Sequence, residues 1–307
     1  MSGSPAVSVC IITFNQEAFI AQAVESALAQ KTTFEYEVVI GDDASTDATP
    51  QVLAEIERAH APRLRVHRPP KNLGINRNLA LTLQKCRGKY IALLEGDDYW
   101  IDPQKLQLQH DFLESHSEYA ICFHPVRAVR QGSGETRRLP RGRIPRRSAL
   151  ADLIAKGNYI PTASVMFRNR ASEGFPEWFA DLCIGDLPLH VINARFGDIA
   201  FMDRVMAVYR LHPGGTFSGI PNAARVREVV RMYSCLNDFL DRRFDATITA
   251  IQSYWEAVEQ FNSGDVAAAR RLARIRFAAP PWTRQRWMAG VMAFAPGFVP
   301  FIRRLLG

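Results

Sequence analysis

The sequence predicts an α/β fold with a mostly parallel central sheet flanked by helices, followed by a helical C-terminal extension. Short runs rich in β-branched residues, such as residues 6–13 and 34–40, alternate with segments whose apolar residues recur at helical spacing. Acidic, turn-forming clusters follow two of these runs, at Gly41-Asp42-Asp43 and Glu95-Gly96-Asp97-Asp98. From Asn222 onward the pattern is helical, so the chain divides into a domain over 1–221 and a helical region over 222–307.

Ala6 to Thr13 reads as a buried strand closed by Phe14-Asn15. Residues 16–30 place Phe19, Ile20, Ala23, Val24, Ala27 and Leu28 on one helical stripe. A second strand, 34–40, stops at Gly41-Asp42-Asp43-Ala44-Ser45-Thr46-Asp47, and Thr49-Pro50 opens a helix with Thr49 as its cap. A short strand over 64–67 leads through Asn72-Leu73-Gly74 to a helix over 75–86, and 89–94 is the fourth strand. Such alternation implies right-handed βαβ units, whose ligands collect beyond the carboxyl ends of the strands. Both acidic clusters fall on that edge. A helix over 103–115 and a strand over 119–129 follow. Eight arginines between Arg127 and Arg147 then surround Gly132-Ser133-Gly134, which reads as a hairpin or basic loop that is either a solvated surface or a phosphate- or acceptor-binding one. A helix near 148–156 and a strand near 163–168 complete the unit.

At 307 residues with 47% hydrophobic and 22% charged residues, the composition is that of a globular protein with a sizeable core. The net charge of +7 suits anionic partners. Nucleic acid is not among those expected, because no zinc spacing, RNP motif or aromatic-basic platform is present. Five cysteines without a CxxC spacing fit reduced thiols. The first residues show no basic-apolar leader, so a cytoplasmic protein is expected, with peripheral attachment to the inner face of the membrane as an alternative. That alternative rests on 288–302, an apolar stretch with Pro296 and Pro300 and arginine flanks. It is too short and broken to span a bilayer. Membrane-surface contact, packing on the domain and a homodimer contact all fit it.

Three carboxylates at the end of an apolar strand are costly unless a cation compensates them, and a hard ion such as Mg²⁺ or Mn²⁺ suits oxygen ligands. In order, Val7-Ser8-Val9-Cys10-Ile11-Ile12-Thr13-Phe14-Asn15, Gly41-Asp42-Asp43-Ala44-Ser45-Thr46-Asp47, Asn72-Leu73-Gly74 and Glu95-Gly96-Asp97-Asp98-Tyr99-Trp100 resemble the successive motifs of family 2 glycosyltransferases with the GT-A fold. Downstream, Ile184-Gly185-Asp186-Leu187-Pro188-Leu189 is similar to the family's catalytic-base motif, and Tyr209-Arg210-Leu211-His212-Pro213-Gly214-Gly215-Thr216 to the segment that often follows it.

The resemblance implies roles residue by residue. Thr13 and Asn15 would contact the nucleotide base and ribose. Asp43 would accept the imide N–H of uracil or thymine, pointing to a UDP- or dTDP-type donor. Arg77 would approach the nucleotide or its phosphates, unless it is a surface arginine. Asp97 and Asp98 would hold the divalent ion and the ribose-diphosphate, with Glu95 first in a D-x-D-like signature, directly or through water. His212 would touch the diphosphate or the ion as a glycine-bearing loop closes. Asp186 would remove the acceptor hydroxyl proton, although Asp186-Leu187-Pro188 is also a helix-start pattern.

The implied activity is an inverting, metal-dependent, single transfer of a sugar from a nucleotide-diphosphate sugar to a saccharide or lipid-linked acceptor in cell-envelope polysaccharide or glycolipid synthesis. A processive synthase would carry QxxRW, but Thr283-Arg284-Gln285-Arg286-Trp287 has threonine in the first place. A sugar-nucleotide pyrophosphorylase would present a glycine-rich basic loop after its first strand, where Thr13-Phe14-Asn15-Gln16 stands instead. A non-catalytic nucleotide-sugar-binding protein is the remaining alternative.

Overall fold

The computed structural model describes residues 4–212, 222–280 and 283–299. The chain forms two compact units. One comprises the described residues up to 150 and from 158 to 212; the other comprises 151–157 and the described residues from 222.

In the first unit β1 (Val7–Thr13), α1 (Ile20–Leu28), β2 (Tyr36–Asp42), α2 (Thr49–His60), β3 (Leu64–His67), α3 (Ile75–Gln84) and β4 (Tyr90–Glu95) alternate. Val7, Val9 and Ile11 face one core layer with Val38, Ile40, Ala92 and Leu94, all at most 1% exposed. Full burial of each of these valine, isoleucine and leucine side chains is worth about 1.5–3 kcal/mol, an upper bound because unfolded chains bury some of this area already. The parallel register sets Thr13 beside Asp42 and Ile12 beside Glu95. This alignment gathers the ends of three strands, and the predicted motifs with them, on one edge.

The chain continues through β5 (Tyr99–Trp100), α4 (Lys105–Ser115), β6 (Tyr119–Phe123), β7 (Val126–Arg130), β8 (Thr136–Leu139), β9 (Arg147–Ser148), α5 (Leu150–Lys156), β10 (Met166–Arg168), α6 (Glu177–Ala180), α7 (Asp186–Ala194), β11 (Asp198–Phe201) and β12 (Ala207–Leu211). An eight-stranded sheet runs β3-β2-β1-β4-β10-β6-β11-β9, and a four-stranded sheet runs β5-β12-β7-β8. β10 is antiparallel to both its neighbours.

Three local expectations need correction. The strand expected over 119–129 is two strands in different sheets, because Pro125 has no N–H to donate to a ladder and His124 Nδ1 instead lies 2.9 Å from the Pro125 carbonyl. Thr49 does not cap α2. Asp47 Oδ1 accepts its N–H at 2.9 Å, and its own hydroxyl accepts the Gln16 N–H at 2.9 Å, tying α2 to the end of β1. The strands β5, β9, β11 and β12 were not expected; they are two to five residues long and lack a long alternating pattern.

The second unit holds α8 (Asn222–Phe239), α9 (Asp245–Ser263), α10 (Val266–Ala278) and α11 (Arg284–Phe294). Gly264 ends α9 at φ +92°, and Asp265 caps α10 by accepting the Ala268 N–H at 2.8 Å. Met288, Ala289, Met292, Ala293 and Val299 pack on Ala257 and Ala273, so one face of the apolar stretch is core. Trp287, Phe294 and Phe298 remain 46–63% exposed. Among the described residues no helix is long and apolar enough to cross a membrane. The expected Pro213-Gly214-Gly215-Thr216 loop and residues 300–302 lie outside the described residues.

Candidate active site

The acidic turn is built by close backbone approach. A Cβ on Gly96 would lie 2.3 Å from Gln16 Oε1 and 2.8 Å from Thr13 Cβ, so glycine alone lets β4 turn against the end of β1. The turn then delivers Asp97 half-buried and Asp98 fully buried. Asp98 Oδ1 accepts the Arg210 backbone N–H at 2.8 Å, which fastens β12 to the turn, while the buried Oδ2 has no hydrogen-bond partner. The Arg210 guanidinium donates to the Asp97 carbonyl and to Gln22, and lies 4.5 Å from the Tyr99 ring and 5.1 Å from that of Phe19. His212 Nε2 is 2.9 Å from Asp97 Oδ2, its ring tilted against Phe19.

Crowding and burial raise the proton affinity of this cluster. Burial, then the charges of Asp97 and Asp186, push the Glu95 carboxyl up to about 8. Asp98 is held well above its ordinary range by burial and by Glu95 and Asp97, against the pull of Arg210. Tyr209 is raised too, by burial and then by Glu95, Asp98, Asp97 and Asp186. A divalent ion with oxygen ligands suits this set, and the unpartnered Asp98 Oδ2 is the atom that most needs a positive neighbour. Among the described residues, no three His, Cys, Asp or Glu side chains are already gathered as an ion cage.

Asp186 begins α7. Its Oδ1 accepts the Leu187 N–H at 2.7 Å and its Oδ2 accepts Asn158 Nδ2 at 2.5 Å. Both bonds fix the orientation of the carboxyl. The preceding Gly185 is wedged: a Cβ there would lie 1.9 Å from Asn76 Oδ1, and Asn76 Nδ2 donates to the Leu182 carbonyl at 2.7 Å. One turn on, His190 is buried and pushed down to about 4 by that burial, against the pull of Asp186, so it is neutral at pH 7.

At the other end, Asp43 is buried with both oxygens in use, Oδ1 accepting the Leu73 N–H at 2.8 Å and Oδ2 that of Gly74 at 2.9 Å. Asn15, at φ +53°, accepts the Thr46 N–H at 2.8 Å and donates its own N–H to Ser45 Oγ at 2.9 Å. Thr13 Oγ1 donates to Gln16 Oε1 at 2.8 Å. Thr13, Asn15 and Asp43 thus form one hydrogen-bonded rim where β1 and β2 end. Arg77 is more than half exposed and pairs with Asp181 at 3.1 Å on the surface. Sequence reasoning assigned no role to Tyr209, Arg210, Asn158 or Asn76. For the first two the signal was their place in a segment already singled out; the asparagines meet Asp186 and Gly185 from 28 and 109 positions away in the chain.

A family model described as glycosyl transferase family 2 matches residues 8–174, more than half of the chain. The chain belongs to this family. It is similar to an uncharacterized protein of Mycobacterium tuberculosis, 39% identical over 212 residues, which are 68% of this chain and 60% of that protein. The chain therefore spans less than two thirds of that relative's length. It is also 41% identical over 131 residues to chondroitin synthase of Escherichia coli, covering 42% of this chain and 18% of that one. Among solved structures, S. aureus TarS in complex with UDP-GlcNAc superposes with a TM-score of 0.59 at 18% identity, over 93% of this chain and 86% of that one. The mannosyltransferase PcManGT from Pyrobaculum calidifontis, in complex with GDP-Man and Mn²⁺, gives 0.58 at 15% identity over 98% and 83%. At such identities the likeness shows the fold, which is that of GT-A glycosyltransferases with a helical C-terminal region.

Proposed function

We propose that this family 2 chain transfers one sugar, with inversion, from a UDP- or dTDP-type sugar to an acceptor hydroxyl in envelope polysaccharide or glycolipid synthesis. The observation that carries the reading is the convergence of distant elements: Glu95 at the end of β4, Asp97 and Asp98 in the turn after it and Asp186 at the start of α7 all lie near enough to Tyr209 of β12 for their charges to raise its hydroxyl. A base and a diphosphate site facing one space is what an in-line transfer needs. Asp186, kept as an acceptor by Asn158 and its own helix N-terminus, takes the acceptor proton as the new bond forms. Arg210, His212 and the acidic turn position the diphosphate end of the donor, and the Thr13, Asn15 and Asp43 rim receives the nucleoside. Glu95, Asp97 and Asp98 would hold a divalent ion, which when bound offsets the charge of the departing nucleotide diphosphate. The exposed Trp287, Phe294 and Phe298, with Arg274 5.8 Å from the Phe294 ring, support membrane-surface attachment of the second unit.

A panel of nucleotide sugars tests the reading by nucleotide release with and without acceptor. Transfer should vanish in Asp186→Asn while donor binding persists, and excess EDTA should suppress it. Unchanged turnover in that variant rejects the base, full activity in EDTA rejects the ion, and release of pyrophosphate identifies a pyrophosphorylase instead.

A further inference from the structure

The hairpin of β7 and β8 and the loop after it make a basic feature apart from the acidic site. Arg138, Arg141 and Arg143, with Ile144, Phe201 and Asp203, line a concavity of about 390 Å³. Asp203 pairs with Arg138, whereas no carboxylate among the described residues pairs with Arg141 or Arg143. The antiparallel register sets Arg127 directly opposite Arg138, a repulsion that Asp203 offsets at Arg138, while no carboxylate among the described residues pairs with Arg127.

The sheet links this concavity to the acidic site. β8 pairs with β7, β7 with β12 and β12 with β5, the strand that follows Asp98. Three strand spacings put the hairpin edge about 14 Å from β5. Guanidinium forks match the oxygens of phosphate in a way that single ammonium charges do not. Phe201 and Ile144 add an apolar wall suited to the group that a phosphate carries.

We propose that this concavity binds a phosphate ester of the acceptor, holding it while the hydroxyl to be glycosylated reaches Asp186. The inference rests on the glycosyl-transfer reading for its meaning, but its first test does not. Glucose 1-phosphate, glucuronate and farnesyl phosphate are titrated against the full chain, with binding read by ligand-observed NMR. Arg141→Gln/Arg143→Gln should weaken glucose 1-phosphate binding by about tenfold or more, whereas the equally charged control Lys31→Gln/Arg58→Gln, at exposed positions elsewhere, should not. Arg141→Lys/Arg143→Lys should fall between wild type and the glutamine variant. Equal loss in the control, or glucuronate bound as tightly as the phosphate ester, overturns the proposal. Binding of farnesyl phosphate alone assigns a lipid carrier as the source; equal binding of both esters assigns the phosphate irrespective of carrier. In the transfer assay, the glutamine variant should raise the KM of a phosphate-bearing acceptor and not that of its neutral counterpart. Phosphate binding without transfer from any donor would leave the site standing and sink the activity, while transfer indifferent to the arginines would do the reverse.

Discussion

Replacing Lys105 with methionine should stabilise the protein at neutral pH and cease to do so in alkali. Lys105 is fully buried, its Nζ donating to Gln109 Oε1 at 2.7 Å and lying 4.1 Å from the Trp100 ring centroid. Burial pulls the ammonium down to about 7 from an ordinary 10.5, with only a small opposing pull from Cys122. Neither titratable neighbour compensates the charge. Cys122 is pushed up to about 12 by burial, and His124 is driven well below its ordinary value by burial and by Lys105 itself, so both are neutral when Lys105 is charged. Between pH 7 and 10.5 the unfolded lysine holds a proton that the folded one has released, so stability rises with pH across that window and the cost is fully present below it. A difference of that size corresponds to about 5 kcal/mol as a ceiling. Methionine forfeits the Gln109 bond and the cation over the indole, about 1–2 kcal/mol each. The net gain at pH 6.5 is then about 1–3 kcal/mol, or a few degrees in Tm for a chain of 307 residues. Calorimetry of both proteins at pH 6.5 and 10.5 decides the matter. An equal Tm difference at the two pH values, or a larger loss at the lower one, would refute the assignment of a buried, uncompensated charge.

Three further outcomes are expected. Asn158→Ala removes the hydrogen bond that orients the Asp186 carboxyl, so kcat should fall by about tenfold while donor binding is unchanged; an unchanged kcat would show that Asn158 does not position Asp186. Gly185→Ala should cost about 1–3 kcal/mol of stability, because the new Cβ meets the Asn76 amide at 1.9 Å; a denaturation cycle with Asn76→Ala should recover most of that loss, and strict additivity would disprove the wedge. Phe294→Ser/Phe298→Ser should reduce co-sedimentation with phosphatidylglycerol vesicles, and undiminished recovery would remove the exposed rings from any membrane contact.

What the sequence reveals and what it hides follow from the range of the forces involved. The β1–β4 half is legible because strand burial writes itself into runs such as Val7 to Thr13, and because parallel pairing brings the ends at Thr13, Asp42 and Glu95 to one edge. The second sheet is hidden because β5 has two residues and β12 five, too few to show a period, and because their partners lie up to 109 positions away. The same distance conceals half of the site. Asp98 shows as an acid in the sequence, but that one of its oxygens fastens Arg210, 112 positions on, is a property of the fold alone. Arg77 illustrates the converse: its position after Asn72-Leu73-Gly74 suggests the nucleotide, while the fold gives it Asp181 on the surface.

The site is therefore best understood as a division of like groups by environment. Asp98 and Glu95 stand where burial and mutual repulsion favour the proton, whereas Asp97 has His212 against it and Asp186 has Asn158 and a backbone N–H. Four side-chain carboxyls thus stand in different environments within one cluster. The arrangement is also interdependent. Asp98 holds the backbone of Arg210, Arg210 holds the carbonyl of Asp97, and two residues further on His212 meets the Asp97 carboxylate. A substitution that frees Asp98 should accordingly disturb Arg210 and His212 together, so the acidic turn and the end of β12 are expected to fail as a unit rather than residue by residue.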